Sequence, residues 1–342
     1  MTSCAAMTRY AVLWSVAVSA ICQSALAESP AEKITRKPVA WFRENEGRTA
    51  VENLLTWQTS YGDWPKNENT VREPCTEKKK PAGTFDNGAT VGELRVLARA
   101  YRATADERYK RAFLIGFDHI LAAQYSHGGW PQFFPLSKKY HRHVTFNDGT
   151  MIRLMEFLRD APTHEDFAFL DDQRRSAALK AVEKGIECIL RCQVVVQGDL
   201  TVWCAQHDAE TLAPVQARSY ELPSLSGAES AGVLRFLMSI EHPDPRIIRA
   251  VKAGVEWFEK TKIEGYRYQR NESQTSLIPE EGAAPLWARF YEIETNRPIF
   301  SDRDGVVKYD LQQIGSERRN GYTWYGDWGA SVLKTYSKWP HR

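Results

Sequence analysis

Two short segments of nearly the same build constrain what this chain can fold into. Thr84-Phe85-Asp86-Asn87-Gly88-Ala89-Thr90 and Thr145-Phe146-Asn147-Asp148-Gly149-Thr150-Met151 each close a polar loop, and each opens an apolar run of helical period. A Trp-Pro turn stands ahead of both, in Gly62-Asp63-Trp64-Pro65 and in Gly129-Trp130-Pro131. Asp86 and Asp148 recur 62 residues apart. A repeated unit of turn, polar loop, Asp/Asn step and two helices predicts helical pairs stacked on one another. The first pair is read from Val91, Leu94, Leu97, Ala98 and Tyr101, then from Phe113, Leu114, Phe117, Ile120 and Leu121.

The pattern continues along the chain. Helices are expected at about Met151–Arg159, Asp172–Val195, Gly227–Ser239, Pro245–Thr261 and Ala283–Ile293, with a last turn or two over Ala330–Tyr336. Val39–Leu55 is helical too, with Gly47 dividing it. Residues 262–280 read as polar and irregular, and Thr295–Gly329 as aromatic, charged and aperiodic. Long alternating runs are missing. The expected fold class is all-α, an (α/α) barrel or toroid with long functional loops at one end.

The N-terminus stands apart. Arg9, the apolar run Tyr10–Cys22 and the small-x-small site Ala25-Leu26-Ala27 predict a signal peptide over residues 1–27. An uncleaved anchor needs about 20 apolar residues, more than this run supplies. One domain, residues 28–342, is then expected as a secreted or periplasmic protein, monomeric and free of the membrane after cleavage. Cys75, Cys188, Cys192 and Cys204 remain in it. Export permits one or two disulfides, with Cys192–Cys204 easier than the i,i+4 pair Cys188–Cys192; buried free thiols are the other reading. The net charge of +2 speaks against nucleic acid as a partner. Walker loops, HExxH, GxSxG and paired CxxC motifs are absent, which leaves P-loop, zincin and α/β-hydrolase chemistry without support.

Chemistry-bearing residues gather in the loops. Asp86-Asn87 and Asn147-Asp148 read either as helix caps or as hard oxygen ligands of the kind calcium takes. The stretch after Trp130 adds Lys138, Lys139, His141, Arg142 and His143, one wall of a site for an anionic ligand. His207-Asp208 offers a catalytic pair with no convincing nucleophile beside it. Arg218 lies in a Pro-bracketed polar loop, as a surface residue or as a fixed cation for a carboxylate. Arg303, Arg318, Tyr322 and Trp130 combine guanidiniums that fork onto carboxylates with aromatic faces that stack on sugar rings.

Taken together, WCAQHD, ARSYELPSLSGAES and ERRNGYTWYG, with Thr84–Thr90, Gly128–Met151 and Pro285–Pro298, resemble the family 10 polysaccharide lyases, the pectate lyases. The resemblance implies calcium-assisted β-elimination on α-1,4-linked polygalacturonate. It implies Arg218 as the base, Asp86, Asn87 and Asp148 at the calcium, and Lys110, Arg303 and Arg318 on uronate carboxylates. A base of this kind would need a guanidinium pKa lowered by its surroundings, and alkaline conditions. Two alternatives stay open: a glycoside hydrolase using Asp86 and Asp148 as its carboxylate pair, and a non-catalytic binder of acidic polysaccharide.

Overall fold

The structure, a computed structural model, describes residues 28–342 apart from 77, 79 and 271–273. The expected signal segment lies outside the described residues, as do Cys4 and Cys22. None of the described helices is long and apolar enough to cross a membrane.

Ten helices are described: α1 (Pro30–Ile34), α2 (Asn45–Trp57), α3 (Val91–Thr104), α4 (Glu107–Ala122), α5 (Thr150–Asp160), α6 (Asp172–Cys192), α7 (Gly227–Met238), α8 (Pro245–Lys260), α9 (Ser316–Gly321) and α10 (Trp328–Tyr336). Their apolar stripes face inward as the spacing required. Leu94, Leu97 and Ala98 of α3, Phe113, Phe117 and Ile120 of α4, and Leu154, Met155 and Leu158 of α5 are all buried. The expected break in the first helical stretch falls at Glu44, between a 3-10 turn (Val39–Arg43) and α2. Gly47 is needed there, because a Cβ would stand 2.2 Å from the Trp41 carbonyl oxygen.

The helices form sequential hairpins, α3–α4, α5–α6 and α7–α8. α3, α5 and α7 stand side by side in one layer, with α4, α6 and α8 behind them. Among the described residues the row shows no closure into a toroid. α1 and α2 cover it at the α3 side, and α10 packs on α7 and α8 at the other. Nor is the molecule all-α: 46% of the described residues are helical and 11% lie in strands. The strands are mostly two-residue ladders that tie loops together. A longer hairpin pairs Tyr266–Arg270 with Thr275–Pro279, in the segment read as irregular.

The helix expected over Ala283–Ile293 is also absent. Trp287–Ala288 pairs with Tyr325–Gly326, and Phe290–Tyr291 with Leu225–Ser226. Leu286, Phe290 and Ile293 mimic a helical stripe, but the bulky neighbours Trp287 and Tyr291 are buried as well, so both sides of the segment face the interior. All four described cysteines are free thiols, and Cys188 and Cys192 approach to 3.9 Å without bonding.

Trp130 was expected to stack on sugar. It is instead fully buried, with its indole N–H donating to the Ile120 carbonyl at 2.9 Å. It locks the end of α4 onto the loop that follows. Trp130→Ala is expected to cost about 3–5 kcal/mol of stability, read from the urea midpoint.

Candidate active site

The first-layer helices all begin at the same end of the molecule. Each start is set by a loop, and the three loops touch. The turns Asp86–Gly88 and Asn147–Gly149 pack on each other, and the second also packs on α7. The two turns are copies. Phe85 and Phe146 enter them, Asn87 (φ 54°) and Asp148 (φ 52°) take the left-handed conformation, and Gly88 and Gly149 follow at φ 75° and 71°. The structural repeat is therefore 61 residues, one less than the spacing of the two aspartates. Asp86 corresponds to Asn147, and Asn87 to Asp148.

Neither acid caps a helix. α3 and α5 have no side-chain cap bond at their N-termini. Asp86 is buried and ion-paired with Lys66. The two residues before it are pinned to separate loops, because Thr84 N–H donates to the Trp64 carbonyl at 2.9 Å and Phe85 N–H to the Gln132 carbonyl at 3.0 Å, and the Asp86 N–H itself donates to Thr84 Oγ1 at 3.2 Å. Asp148 accepts from Asn147 Nδ2 at 2.6 Å and lies 3.4 Å from Arg289 Nη2. The same nitrogen donates to Glu229 Oε1 at 2.5 Å.

Arg289 was missed from sequence because it sits in the segment read as helix. Its backbone bridges two strand ladders: its N–H donates to the Trp324 carbonyl at 2.7 Å, and its carbonyl accepts from Gly227 N at 3.0 Å. Burial of Asp148 pushes its carboxyl above the ordinary range; Arg289 pulls it back, while Glu229 and Asp86 push with burial. Burial would lower the Arg289 guanidinium, but Glu229, Tyr322, Asp148 and Glu221 hold it above its usual value.

Arg218 stands across from this group. It makes a two-point bond to Glu221, Nε to Oε2 at 2.7 Å and Nη2 to Oε1 at 2.5 Å. The Arg218 backbone N–H also donates to Oε2 at 3.1 Å, and the Tyr322 hydroxyl to Oε1 at 2.8 Å. Nη1 is the guanidinium nitrogen left without a protein hydrogen bond among the described residues. Burial works to lower the Arg218 pKa, but the bond and charge of Glu221 more than reverse it. The guanidinium is thus held well above its ordinary value, opposite to the lowering expected from sequence. Burial likewise opposes the Glu221 anion, and Arg218 outweighs it.

The remaining residues divide. Arg318 lies 4.6 Å over the Tyr220 ring and Arg303 lies nearby, both forking onto Glu317. Those two cations hold the Glu317 carboxyl down to about 2. Arg318 is 12% exposed and Arg303 65%. Tyr322 is buried, with Arg289 at 4.9 Å over one face and Phe290 stacked at 6.2 Å, so it offers no open ring to a sugar.

Lys110 is not brought to the site. It lies in the first turn of α4, 5.5 Å over the Tyr101 ring near the far end of α3. α3 has 14 residues, so that end is roughly 20 Å from the Asp86 turn at 1.5 Å per residue. The basic stretch after Trp130 contributes His141. Burial lowers its pKa first, then the nearby charges of Lys66 and Lys139. His207 and Asp208 do not pair. His207 is buried and pushed down to about 4, with Nδ1 2.9 Å from the Leu212 carbonyl and Nε2 accepting from Cys204 N, which makes it a loop staple.

Lys66, Arg218 and Arg289 thus pair with the buried carboxylates Asp86, Glu221 and Glu229 at the shared N-terminal end of three helices, and Arg303 and Arg318 add charge on the exposed Glu317. That end carries the positive pole of each helix dipole. Such an arrangement defines a protein that holds a polyanion and acts on it.

Comparison with known proteins narrows the class. The model of the pectic acid lyase family matches residues 58–333. A family 10 polysaccharide lyase from Cellvibrio cellulosa is 38% identical over 92% of this chain and 97% of its own, with a TM-score of 0.80. A mutant of the same lyase in complex with trigalacturonic acid matches over 91% and 97%, with a TM-score of 0.79. Among curated proteins, none matches this chain. The chain belongs to the pectic acid lyase family and is a polysaccharide lyase.

Proposed function

We propose that this protein is an exported, monomeric pectate lyase that cleaves α-1,4-linked polygalacturonate by calcium-dependent β-elimination. The observation that carries the reading is the arrangement of Arg218, held by Glu221 with Nη1 open, beside the ion-paired Asp148–Arg289–Glu229 group, of which Glu229 is buried and the other two half-buried. The solved relative bound to trigalacturonic acid supports the substrate class.

The C5 proton of a uronate is weakly acidic because the adjacent carboxylate is already charged. Arg218, in its neutral form, accepts that proton at Nη1. The C5–H electron pair becomes the C4–C5 double bond, the C4–O bond breaks, and the leaving oxygen takes a proton from solvent. Arg289 supplies fixed positive charge where the enolate develops. Arg318 and Arg303 hold the carboxylates of flanking uronates.

The donor set fits calcium in part. Asp86 and Asp148 bring hard oxygens to one place. Asn87 turns away, its Nδ2 3.4 Å from Asn67 Oδ1. Among the described residues, no three acidic, histidine or cysteine side chains form a group that could hold a metal ion. Asp86 and Asp148 would therefore hold the ion together with substrate carboxylates, and it would supply charge to the developing enolate. Incubation with polygalacturonate at alkaline pH is expected to raise ultraviolet absorbance from unsaturated ends, with calcium and not with a chelator. New reducing ends without absorbance would overturn elimination.

A further inference from the structure

Beside the catalytic cluster lies a cleft that the chemistry above does not use. Its volume is about 410 Å³, and Tyr61, Pro81, Ala82, Phe133, Phe134 and Pro135 supply its apolar walls. That is within the usual range for small-molecule sites of about 300–1,000 Å³. Tyr61 is 56% exposed, unusual for a side chain of its size. It is not loose, because its ring stacks on His119 at 6.2 Å with a 30° interplanar angle. His119 is buried and also meets Phe134 at 5.6 Å and Phe85 at 5.5 Å.

Two links join the cleft to the site. Phe85, behind its floor, immediately precedes Asp86. Phe133, on its wall, meets the His141 ring edge-on at 4.9 Å, and His141 feels the charges of Lys66, Asp86 and Arg218. A chain lying across Asp86 and Arg218 and continuing past His141 enters the cleft.

The charge of the cleft differs from that of the site. Among the described residues, Lys80 is its single basic lining side chain, and Lys80 Nζ already donates to the Gln58 carbonyl at 2.5 Å. The buried Asp63 carboxylate also lines it, accepting from Thr59 and 3.5 Å from His119 Nε2. A free uronate here would lose water, meet a like charge and gain little from Lys80. A methyl-esterified uronate would bring no charge, and its ring face and methyl group suit the aromatic walls.

We propose that this cleft is a distal glycan subsite that takes a methyl-esterified galacturonosyl residue, stacked on Tyr61. It rests on the pectate lyase reading for the direction of the chain. Loss of one ring-stacking contact corresponds to a change of about 2- to 12-fold, so Tyr61→Ala is expected to lower kcat/KM by about that factor on half-esterified pectin, with a much smaller change on fully de-esterified polygalacturonate. Tyr61→Phe should restore it, since the ring and not the hydroxyl does the binding. An unchanged ratio between the two substrates in Tyr61→Ala would overturn the proposal.

Calorimetric titration with partially methyl-esterified oligogalacturonides separates this from the activity. Binding that Tyr61→Ala weakens, in a protein that makes no unsaturated ends, would sink the lyase reading and leave the subsite standing. Equal binding by wild type and Tyr61→Ala, or none by either, would sink the subsite.

Discussion

Arg218→Ala is expected to lower kcat on polygalacturonate by about 10⁴-fold, at the upper end of what a general base contributes. The chain stays folded, because the guanidinium lies partly open to solvent. The loss is not free of structural cost. Glu221 is buried, and without Arg218 its remaining side-chain donor is the Tyr322 hydroxyl. About 1–3 kcal/mol of stability should go with it. The double variant Arg218→Ala with Glu221→Gln removes the unpaired charge and should recover part of that stability while staying inactive. Arg218→Lys keeps a cation but cannot form the two-point bond to Glu221, and is expected to be inactive as well. Initial rates from the ultraviolet absorbance of unsaturated product ends, with circular dichroism as the folding control, decide the matter; retained turnover in either single variant removes Arg218 from the role of base.

Much of this site was legible in sequence because its loops carry rare strings. The Asp/Asn-Gly turns stand out because a left-handed residue followed by glycine needs those side chains. Helix positions were legible for the same kind of reason: one stripe of apolar residues per helix leaves a period behind. The stretch between α8 and α10, residues 262–327, left none. There, two-residue ladders are too short to show alternation, and aromatic side chains bury on both sides. Arg289 disappeared in that region, since a lone arginine in an apparent helix looks like a solvent-facing one. Glu229 lies in the stretch Ser224–Glu229, which in sequence suits a helix cap or a site wall equally, and its ion pair with Arg289 is what reveals it. Trp130 and Tyr322 failed in the opposite way. Aromatic residues beside charged ones are equally suited to sugar stacking and to core packing, and only burial separates the two. Lys110 came with the family resemblance. Its position in the first turn of α4, at the far end of the hairpin from Asp86, is a matter of helix direction that a motif does not carry.

Glu221→Gln is expected to lower kcat by about 10²-fold and, at the same time, to move the alkaline limb of the pH profile to lower pH. On the proposed mechanism Arg218 accepts a proton only when neutral, so activity rises as pH climbs toward the guanidinium pKa. Glu221 holds that pKa up through its bond and charge. An opposite charge at this range is worth about 1–3 pH units, so its removal brings the limb down by a comparable amount. More neutral guanidine at a given pH would by itself raise the rate. The fall comes from orientation. Nε–H and Nη2–H stay committed to Glu221 in the neutral form, which leaves the lone pair on Nη1, as a buried carboxylate fixes the tautomer of a catalytic imidazole. A glutamine oxygen can accept from one of them, but its amide N–H₂ then faces the other donor, and the guanidine tilts. A misplacement of about 1 Å costs on the order of 10²-fold. Tyr322→Phe leaves both Arg218 contacts in place and should shift the limb less. The measurement is kcat against pH for wild type, Glu221→Gln and Tyr322→Phe on one substrate. A lower kcat with an unmoved limb would make Glu221 a fold residue only, and an unmoved limb with an unchanged kcat would take the proton acceptor away from Arg218 altogether.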